Sequence, residues 1–224
     1  FRADDVCVSQ PASDRVEVAV TGRLAPPMFD HGFAVEQTAT VAGDGTVDFE
    51  IDLEPEGDFS DLLTLPRIGL DLTLGDDFDR ATWVGRGPGE CYPDSKRAAT
   101  VGRYESDVAD LHTPYVYPQE NGNRTDVRWV AFTDDRGVGV RARGDDRLDV
   151  TAHRYTTADL LDATHDPELP TRDSVSVSLD HRVCGLGTGS CGPTTRPEYR
   201  VEPEEYAFSV RLEPVASGGV GPDR

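Results

Sequence analysis

Carboxylates dominate the side chains that could do chemistry in this sequence. Aspartate and glutamate account for 42 of its 224 residues, and two carboxyl groups roughly 5 Å apart can share the roles of acid and nucleophile. Adjacent carboxylates occur at 76–77, 134–135, 145–146 and 204–205. So acidic a composition produces such pairs by itself, and charged residues in turn-like sequence are usually solvated. We therefore predict that none of these adjacent pairs is catalytic.

One carboxylate lies outside the acidic runs. Glu120 stands within 113–124, a stretch rich in aromatic residues and proline. A buried carboxylate in such a place can accept hydrogen bonds from backbone N–H groups, which also keeps it ionised. We predict that Glu120, Asn121 and Tyr115 anchor this loop. A direct contact of Glu120 with a ligand or with a neighbouring domain stays open as the alternative.

The segment 184–193, CGLGTGSCGP, is the sharpest functional candidate. Glycine permits turns and a close approach of the backbone that other residues forbid. The alternative interpretation is a tight connection between two strands. Cys184 and Cys191 bracket the loop, but sequence does not supply the Cα separation that a disulfide requires. We therefore expect Cys7, Cys91, Cys184 and Cys191 to be free thiols.

The histidines do not predict a metal centre. There are five, none of them in an HxxxH or HExxH arrangement that would hold a metal ion. No metal site and no cofactor are expected.

The elements that must position these residues are strands. Apolar side chains alternate with a period of two, which places them on one face of a strand. The alternation is clearest at 16–20, 33–41, 47–53, 175–179 and 206–212. Turn residues at 134–137 separate two apolar runs and predict a hairpin. The longest loop is expected from 85 to about 126.

One segment departs from this pattern. Thr156 precedes a run with an acidic residue at the third helical position and two leucines, which predicts a short helix that ends before Pro167. The sequence thus predicts an all-β fold, a large antiparallel β-sandwich with one short helix. We expect a single domain over 1–215 with frayed ends, and a loose Gly-rich tail over 216–224.

Charge limits the setting of the protein. The formal net charge is −20, and Lys96 is the only lysine. Repulsion among so many like charges weakens a compact state, whereas at about 1 M salt the Debye length falls to roughly 3 Å and the repulsion is screened. We therefore expect a soluble protein of a high-salt cytoplasm, with an ordinary acidic protein as the alternative.

The same composition argues against two classes of partner. Nucleic acid needs a basic face, which so acidic a chain lacks. A membrane partner is not expected, because no apolar run approaches about 18 residues. The first residues, Phe1 to Asp5, do not form a secretory signal.

Four stretches, in this order and at these separations, go beyond composition. They are LPRIGL (65–70), GRGPGECYPD (85–94), TPYVYPQENGNR (113–124) and CGLGTGSCGP (184–193). Together they resemble the carboxy-terminal domain of β-galactosidases of glycoside hydrolase family 2. That domain carries a PRIGL strand, a GxGPxExYPD loop, a PYVxPxENG stretch and a late GxGxxS(W/C)xP loop. The resemblance runs from about 65 to 212, and weakly back to the start of the chain.

The resemblance implies a galactose-mutarotase-like supersandwich that completes the active-site wall of a larger enzyme. The two catalytic glutamates of such enzymes lie on a TIM barrel, which this sequence does not contain. The chain alone is therefore expected to be inactive, to need that barrel as a domain or subunit, and to meet galactosides only through the parent enzyme. The opening strands of the domain are expected to precede Phe1. Sheet edges left exposed in this way would promote association between copies of the chain.

The resemblance also assigns the glycine-rich loop. In the resembling enzymes this loop reaches the active site on the barrel, and in some of them a Trp stands at the position of Cys191. This implies that Gly189, Ser190 and Cys191 contact the substrate. Here the loop is one residue shorter and Cys replaces Trp, so a stacking surface for the sugar or its acceptor is lost.

Two other functions remain open at this point. Mutarotase-type sugar epimerases share the sandwich and use His and Glu as acid and base, which would make His153 and Glu120 the catalytic pair. A non-catalytic carbohydrate-binding or interaction module, or a decayed gene remnant, is the other.

Overall fold

The computed structural model describes residues 1–189 and 191–218, and strands dominate this part of the chain. Its elements are β1 (Arg2–Ala12), β2 (Arg15–Leu24), β3 (Gly32–Ala42), β4 (Val47–Glu56), β5 (Arg67–Gly75), β6 (Arg80–Gly87), β7 (Thr100–Asp107), β8 (Arg124–Val127), β9 (Trp129–Thr133), β10 (Gly139–Gly144), β11 (Leu148–His153), α1 (Thr157–Asp162), β12 (Ser174–Val183) and β13 (Tyr206–Val215). Short 3-10 turns occupy Lys96–Ala98, Val108–Leu111, Asp166–Glu168 and Pro197–Tyr199. None of the described helices is long and apolar enough to cross a membrane.

The strands form two antiparallel sheets packed face to face. A nine-stranded sheet has the order β1-β2-β3-β4-β13-β10-β9-β6-β7, and a four-stranded sheet has the order β5-β12-β11-β8. Alternate side chains of β12, Val175, Val177 and Leu179, are at most 2 % exposed and belong to one core cluster with Phe208 and Val210 of β13. This confirms the predicted all-β sandwich, whose inner faces are the apolar faces of alternating strands.

The predicted turn and helix start were accurate where a side chain bonds to backbone a few residues away. The hairpin at 134–137 joins β9 to β10, with Gly137 at φ 74° and with the Asp134 carboxylate accepting from the N–H groups of Arg136 and Val138 at 2.9 Å. Helix α1 begins after Thr156, which forms a capping box with Asp159. Such caps satisfy backbone donors that the first turn leaves free.

Two sequence predictions about irregular segments were wrong. The region from 85 to 126 is not one long loop, because β6 continues to Gly87 and β7 pairs with it from Arg80 to Gly87. The amino-terminal end is not frayed, because β1 pairs with β2. Both β1 and β7 lie at the edges of the large sheet and bury little, so their sequences lack the buried alternation that marks an inner strand.

The carboxy-terminal tail is described only in part. Ser217 donates a hydrogen bond to the Arg136 carbonyl at 3.0 Å, so the first residues after β13 lie against the hairpin at 134–137. Residues 219–224 of the predicted loose tail lie outside the described residues.

One end of the large sheet is not covered by the small one. Val8, Val18, Ala39, Phe49 and Val210 lie opposite one another across five strands, so they share one face of the sheet. Val210 is fully buried at one end of this row, whereas Val8 is 65 % exposed at the other. Strands β1 and β2 contribute no residue to the core cluster. The apolar face of the sandwich therefore continues into solvent.

Replacing Val6 and Val8 together by Thr is expected to weaken self-association of the chain. Both valines are more than half exposed, and threonine keeps the β-branched shape that suits a strand while removing apolar surface. Sedimentation velocity and the fluorescence of a dye that binds apolar surface measure the effect. Ser9→Thr, on the opposite face of β1, is the matched control. Unchanged association of the double variant would show that Val6 and Val8 do not form a contact between copies of the chain.

Candidate functional site

A charged cluster around Arg67 ties three of the sequence stretches together. Arg67 begins β5, and its guanidinium lies between Glu120 Oε2 at 2.6 Å and Asp180 Oδ2 at 3.1 Å. The Tyr92 hydroxyl donates to Glu120 Oε1 at 2.9 Å. Stretches 65–70, 85–94 and 113–124 therefore meet at one guanidinium and one carboxylate.

Burial sets the protonation of this cluster. Asp180 is only 1 % exposed, and burial raises its pKa while the charge of Arg67 opposes that rise. Burial and the neighbouring Glu120 raise the pKa of Tyr92, so its phenol keeps the proton that it donates to Glu120. A carboxylate held by a guanidinium and a phenol is suited to fixing loops in place.

The predicted anchoring role of Glu120 has a different geometry from the one expected. Its side chain is about one-third exposed and accepts from side chains. Glu90, which the sequence analysis did not single out, accepts from the Gly122 backbone N–H at 2.9 Å and from the Tyr115 hydroxyl. Glu90 lies in a turn-rich stretch without acidic neighbours, which is the same signal that drew attention to Glu120.

The buried side chain of Asn121 bonds to other residues of the same loop. Asn121 is 1 % exposed; its side-chain oxygen accepts from Thr113 N at 3.1 Å and its amide nitrogen donates to the Gln119 carbonyl at 2.9 Å. The Asn121 side chain also donates to the Tyr155 hydroxyl at 3.1 Å. These bonds link both ends of the stretch 113–121 and support the predicted role.

His153 and Glu120 line the same small cavity, but a sugar would not fit between them. The cavity measures about 30 Å³, which is room for roughly one or two water molecules. His153 Nε2 lies 3.1 Å from the Asn121 carbonyl oxygen, and burial lowers the pKa of His153 to about 4. A neutral, enclosed imidazole beside an ion-paired carboxylate does not favour the epimerase interpretation.

The glycine-rich loop is fixed at its base. The Gly187 N–H donates to Asp94 Oδ2 at 2.7 Å, the Thr195 hydroxyl donates to the Gly185 carbonyl at 2.7 Å, and the Gly185 N–H donates to the Tyr199 carbonyl at 2.8 Å. Gly187 has φ 64°, and a Cβ there would lie 2.6 Å from Thr195 N, so no other residue fits. Asp94 thus connects stretch 85–94 to the loop.

The far side of the same loop is exposed. Thr188, Gly189 and Cys191 are exposed to solvent, and Cys191 N donates to the Thr188 carbonyl at 3.0 Å, which closes a turn. Ser190 lies outside the described residues. Cys184 and Cys191 are free thiols, as are Cys7 and Cys91. The substrate contact assigned to Gly189, Ser190 and Cys191 stays a prediction, supported by this exposure.

The remaining aromatic candidates lie partly in the core and partly at the surface. Trp83 and Trp129 are at most 5 % exposed and belong to the interior, whereas Tyr117 is 63 % exposed. Within the ranges 1–189 and 191–218 no group of three or more metal-ligating side chains comes together.

The fold and the site define an all-β sandwich domain whose candidate site lies in interlocked loops rather than in its core. The family model that matches is described as the β-galactosidase small chain, and it covers residues 2–212. The chain belongs to this family.

Individual relatives agree with this assignment. The chain is 33 % identical over 198 residues to a β-galactosidase of Arthrobacter sp. (strain B7), which covers 86 % of this chain and 19 % of that protein. Identity to a β-galactosidase of Priestia megaterium is 34 % over 180 residues, or 80 % of this chain and 17 % of the relative. A β-galactosidase of Kluyveromyces lactis is 29 % identical over 203 residues, again 19 % of its length. The chain therefore spans less than a fifth of these relatives.

Replacing Asp94 by Ala is expected to loosen the loop without unfolding the sandwich. The substitution removes the acceptor of the Gly187 N–H, and loss of one charge-assisted hydrogen bond corresponds to about tenfold faster local opening. Hydrogen exchange of the peptide that covers 185–193 measures it. Asp135→Ala, in an exposed turn, is the matched control. Equal exchange in the two variants would contradict the role given to Asp94.

Proposed function

We propose that this chain is the part of a β-galactosidase, of glycoside hydrolase family 2, that forms one wall of the active site without supplying the reacting groups. The observation that carries the proposal is the convergence of the four sequence stretches. Arg67, Glu120 and Tyr92 join three of them, and Asp94 joins the fourth. The parent enzyme would hydrolyse terminal β-galactosides, as the names of the relatives indicate.

The carboxylates nearest the loops are already engaged. Retaining hydrolysis needs one protonated and one ionised carboxyl group with a sugar between them. Glu120 and Asp180 have the guanidinium of Arg67 between them instead, and Glu90 holds Tyr115 and Gly122. This supports placing the acid and the nucleophile on another domain or subunit, for which a TIM barrel is the expected fold.

Cys191 bears on what the parent enzyme does with the non-galactosyl unit. The thiol is exposed on the glycine-rich loop and offers no aromatic face for a sugar to stack on. We expect the acceptor or leaving sugar to be held by fewer contacts than in relatives with a Trp at this position.

The purified chain alone is expected not to hydrolyse nitrophenyl β-galactoside. Mixed with a polypeptide from the same organism that carries the remaining domains of a β-galactosidase, it should restore hydrolysis, because the wall and the reacting groups are then together. The Asp94→Ala variant should restore less activity than wild type, and the Asp135→Ala control as much. Turnover by the chain alone would overturn the proposal.

We further propose that the protein works in a high-salt cytoplasm. Its net charge of −20 and its single lysine support this, because repulsion between carboxylates is screened only at high ionic strength.

The midpoint of thermal unfolding is expected to rise by roughly 5 °C or more between about 0.1 M and about 2 M KCl. Fluorescence of the buried Trp83 and Trp129 reports unfolding. A sucrose series, which stabilises by exclusion without screening charge, is the control. A midpoint that does not move with KCl would contradict the proposed setting.

A further inference from the structure

A cavity of about 390 Å³ lies beside the segments that flank the glycine-rich loop, with Val183 before the loop and Tyr199 after it among the lining residues. Its wall is built by β8, β11, the end of β12 and the turn Pro197–Tyr199. Small-molecule sites measure about 300–1,000 Å³, so the volume suits a ligand the size of a mono- or disaccharide. It is separate from the small cavity beside His153.

The charges around this cavity are balanced, unlike those of the whole chain. Four carboxylates line it, from Asp126, Asp146, Asp149 and Glu198. Four basic side chains line it as well, including Lys96, the only lysine of the chain. The chain has nearly two acidic residues for each basic one, so an even wall is a local departure. Acidic and basic side chains in equal number give a wall that has both acceptors and donors without a large net charge, which suits a neutral ligand rich in hydroxyl groups.

Part of this wall is already committed to internal bonds. Asp126, with φ 58°, accepts from Arg86 Nε at 2.6 Å and from Lys96 Nζ at 2.9 Å. These bonds hold the lysine at the rim. Asp146 and Arg182 are exposed at the same opening.

Asp149 is a wall carboxylate that forms no ion pair with the described residues of the cavity. It lies on β11 and is half-buried, and burial raises its pKa to about 6. Hydrogen bonds from the Thr125 side chain and the Asp126 backbone, and the charge of Lys96, lower this pKa in part, while Lys96 and Arg147 form their ion pairs with Asp126. These groups offset the desolvation of Asp149 only in part, and a further hydrogen bond from a ligand hydroxyl group would offset more of it.

An apolar surface completes the wall. The half-buried Tyr199, with Pro93 and Val201, lines the cavity, and an aromatic ring beside hydrogen-bonding groups suits the C–H face of a sugar ring. The Tyr199 carbonyl also accepts the Gly185 N–H. An occupant would therefore contact the residue that fixes the base of the loop.

We propose that this cavity is a second carbohydrate site, which binds a neutral mono- or disaccharide through a hydrogen bond to Asp149 and contact with the ring of Tyr199. The proposal rests on the proposed function only for the choice of galactosides as probes. Binding here would stand even if the loop proved to have no part in an active site.

The single lysine, Lys96, carries an NMR label that reports binding in this cavity. Reductive methylation with ¹³C places dimethylamines on Lys96 and on the amino terminus only, because the chain has one lysine. Phe1 does not line this cavity, so its signal is an internal control. Galactose and lactose are expected to shift the Lys96 signal with saturation in the millimolar range and to leave the Phe1 signal in place.

Two variants locate the binding. Asp149→Ala is expected to weaken it about tenfold, and Arg182→Ala, at an exposed position whose loss does not threaten folding, should weaken it severalfold. Asp135→Ala should bind like wild type.

Three results would overturn the proposal. One is the absence of a saturable shift up to about 100 mM sugar. Another is a shift that both cavity variants retain in full. The third is tighter binding of inorganic phosphate than of sugar at matched ionic strength, which would make this an anion site. The complementation assay is independent of all three, so the failure of one proposal does not imply failure of the other.

Discussion

The guanidinium of Arg67 is the contact on which the arrangement of the loops depends. It neutralises Asp180, a carboxylate almost fully withdrawn from water, and an uncompensated charge in that position would be costly. Its other side holds Glu120. The close approach of β5 and β12 here requires Gly69, where a Cβ would lie 2.4 Å from Asp180 Oδ1. Besides forming part of β5, the PRIGL stretch therefore supplies the cation that a buried carboxylate needs and the glycine that close packing against β12 needs.

The sandwich and the loops divide the work between them. Apolar faces of inner strands hold the two sheets together, while charged and amide side chains hold the loops to each other across 28 to 113 positions of sequence. Loops fixed by several charge-assisted bonds keep the sub-ångström placement that a site requires. A domain built in this way suits the proposed role, which is to form one wall of an active site whose reacting groups lie elsewhere.

Sequence was a good guide where structure is local. Inner strands, the hairpin at 134–137 and the cap at Thr156 follow from alternation and from side chains that bond to nearby backbone. Edge strands β1 and β7 were not predicted, because they bury few side chains and their sequences show no sustained apolar alternation. Glu120 stood out by its surroundings, but the contact between Glu90 and Gly122 joins residues 32 apart. The cavity lined by Asp149 combines several distant segments, and no spacing in the sequence records it.

The position of β13 constrains how the chain folds. Of the described strands it is the last in sequence, yet it lies between β4 and β10 near the middle of the large sheet. During synthesis the meander β1–β4 and the strands that follow it cannot join into one large sheet before β13 leaves the ribosome. Until then β4 and β10, which β13 pairs with in the complete sheet, are each left with an unpaired edge. Completion of the sheet is thus a late, non-local step, and a chain that stops short of Tyr206 would leave both edges open to aggregation.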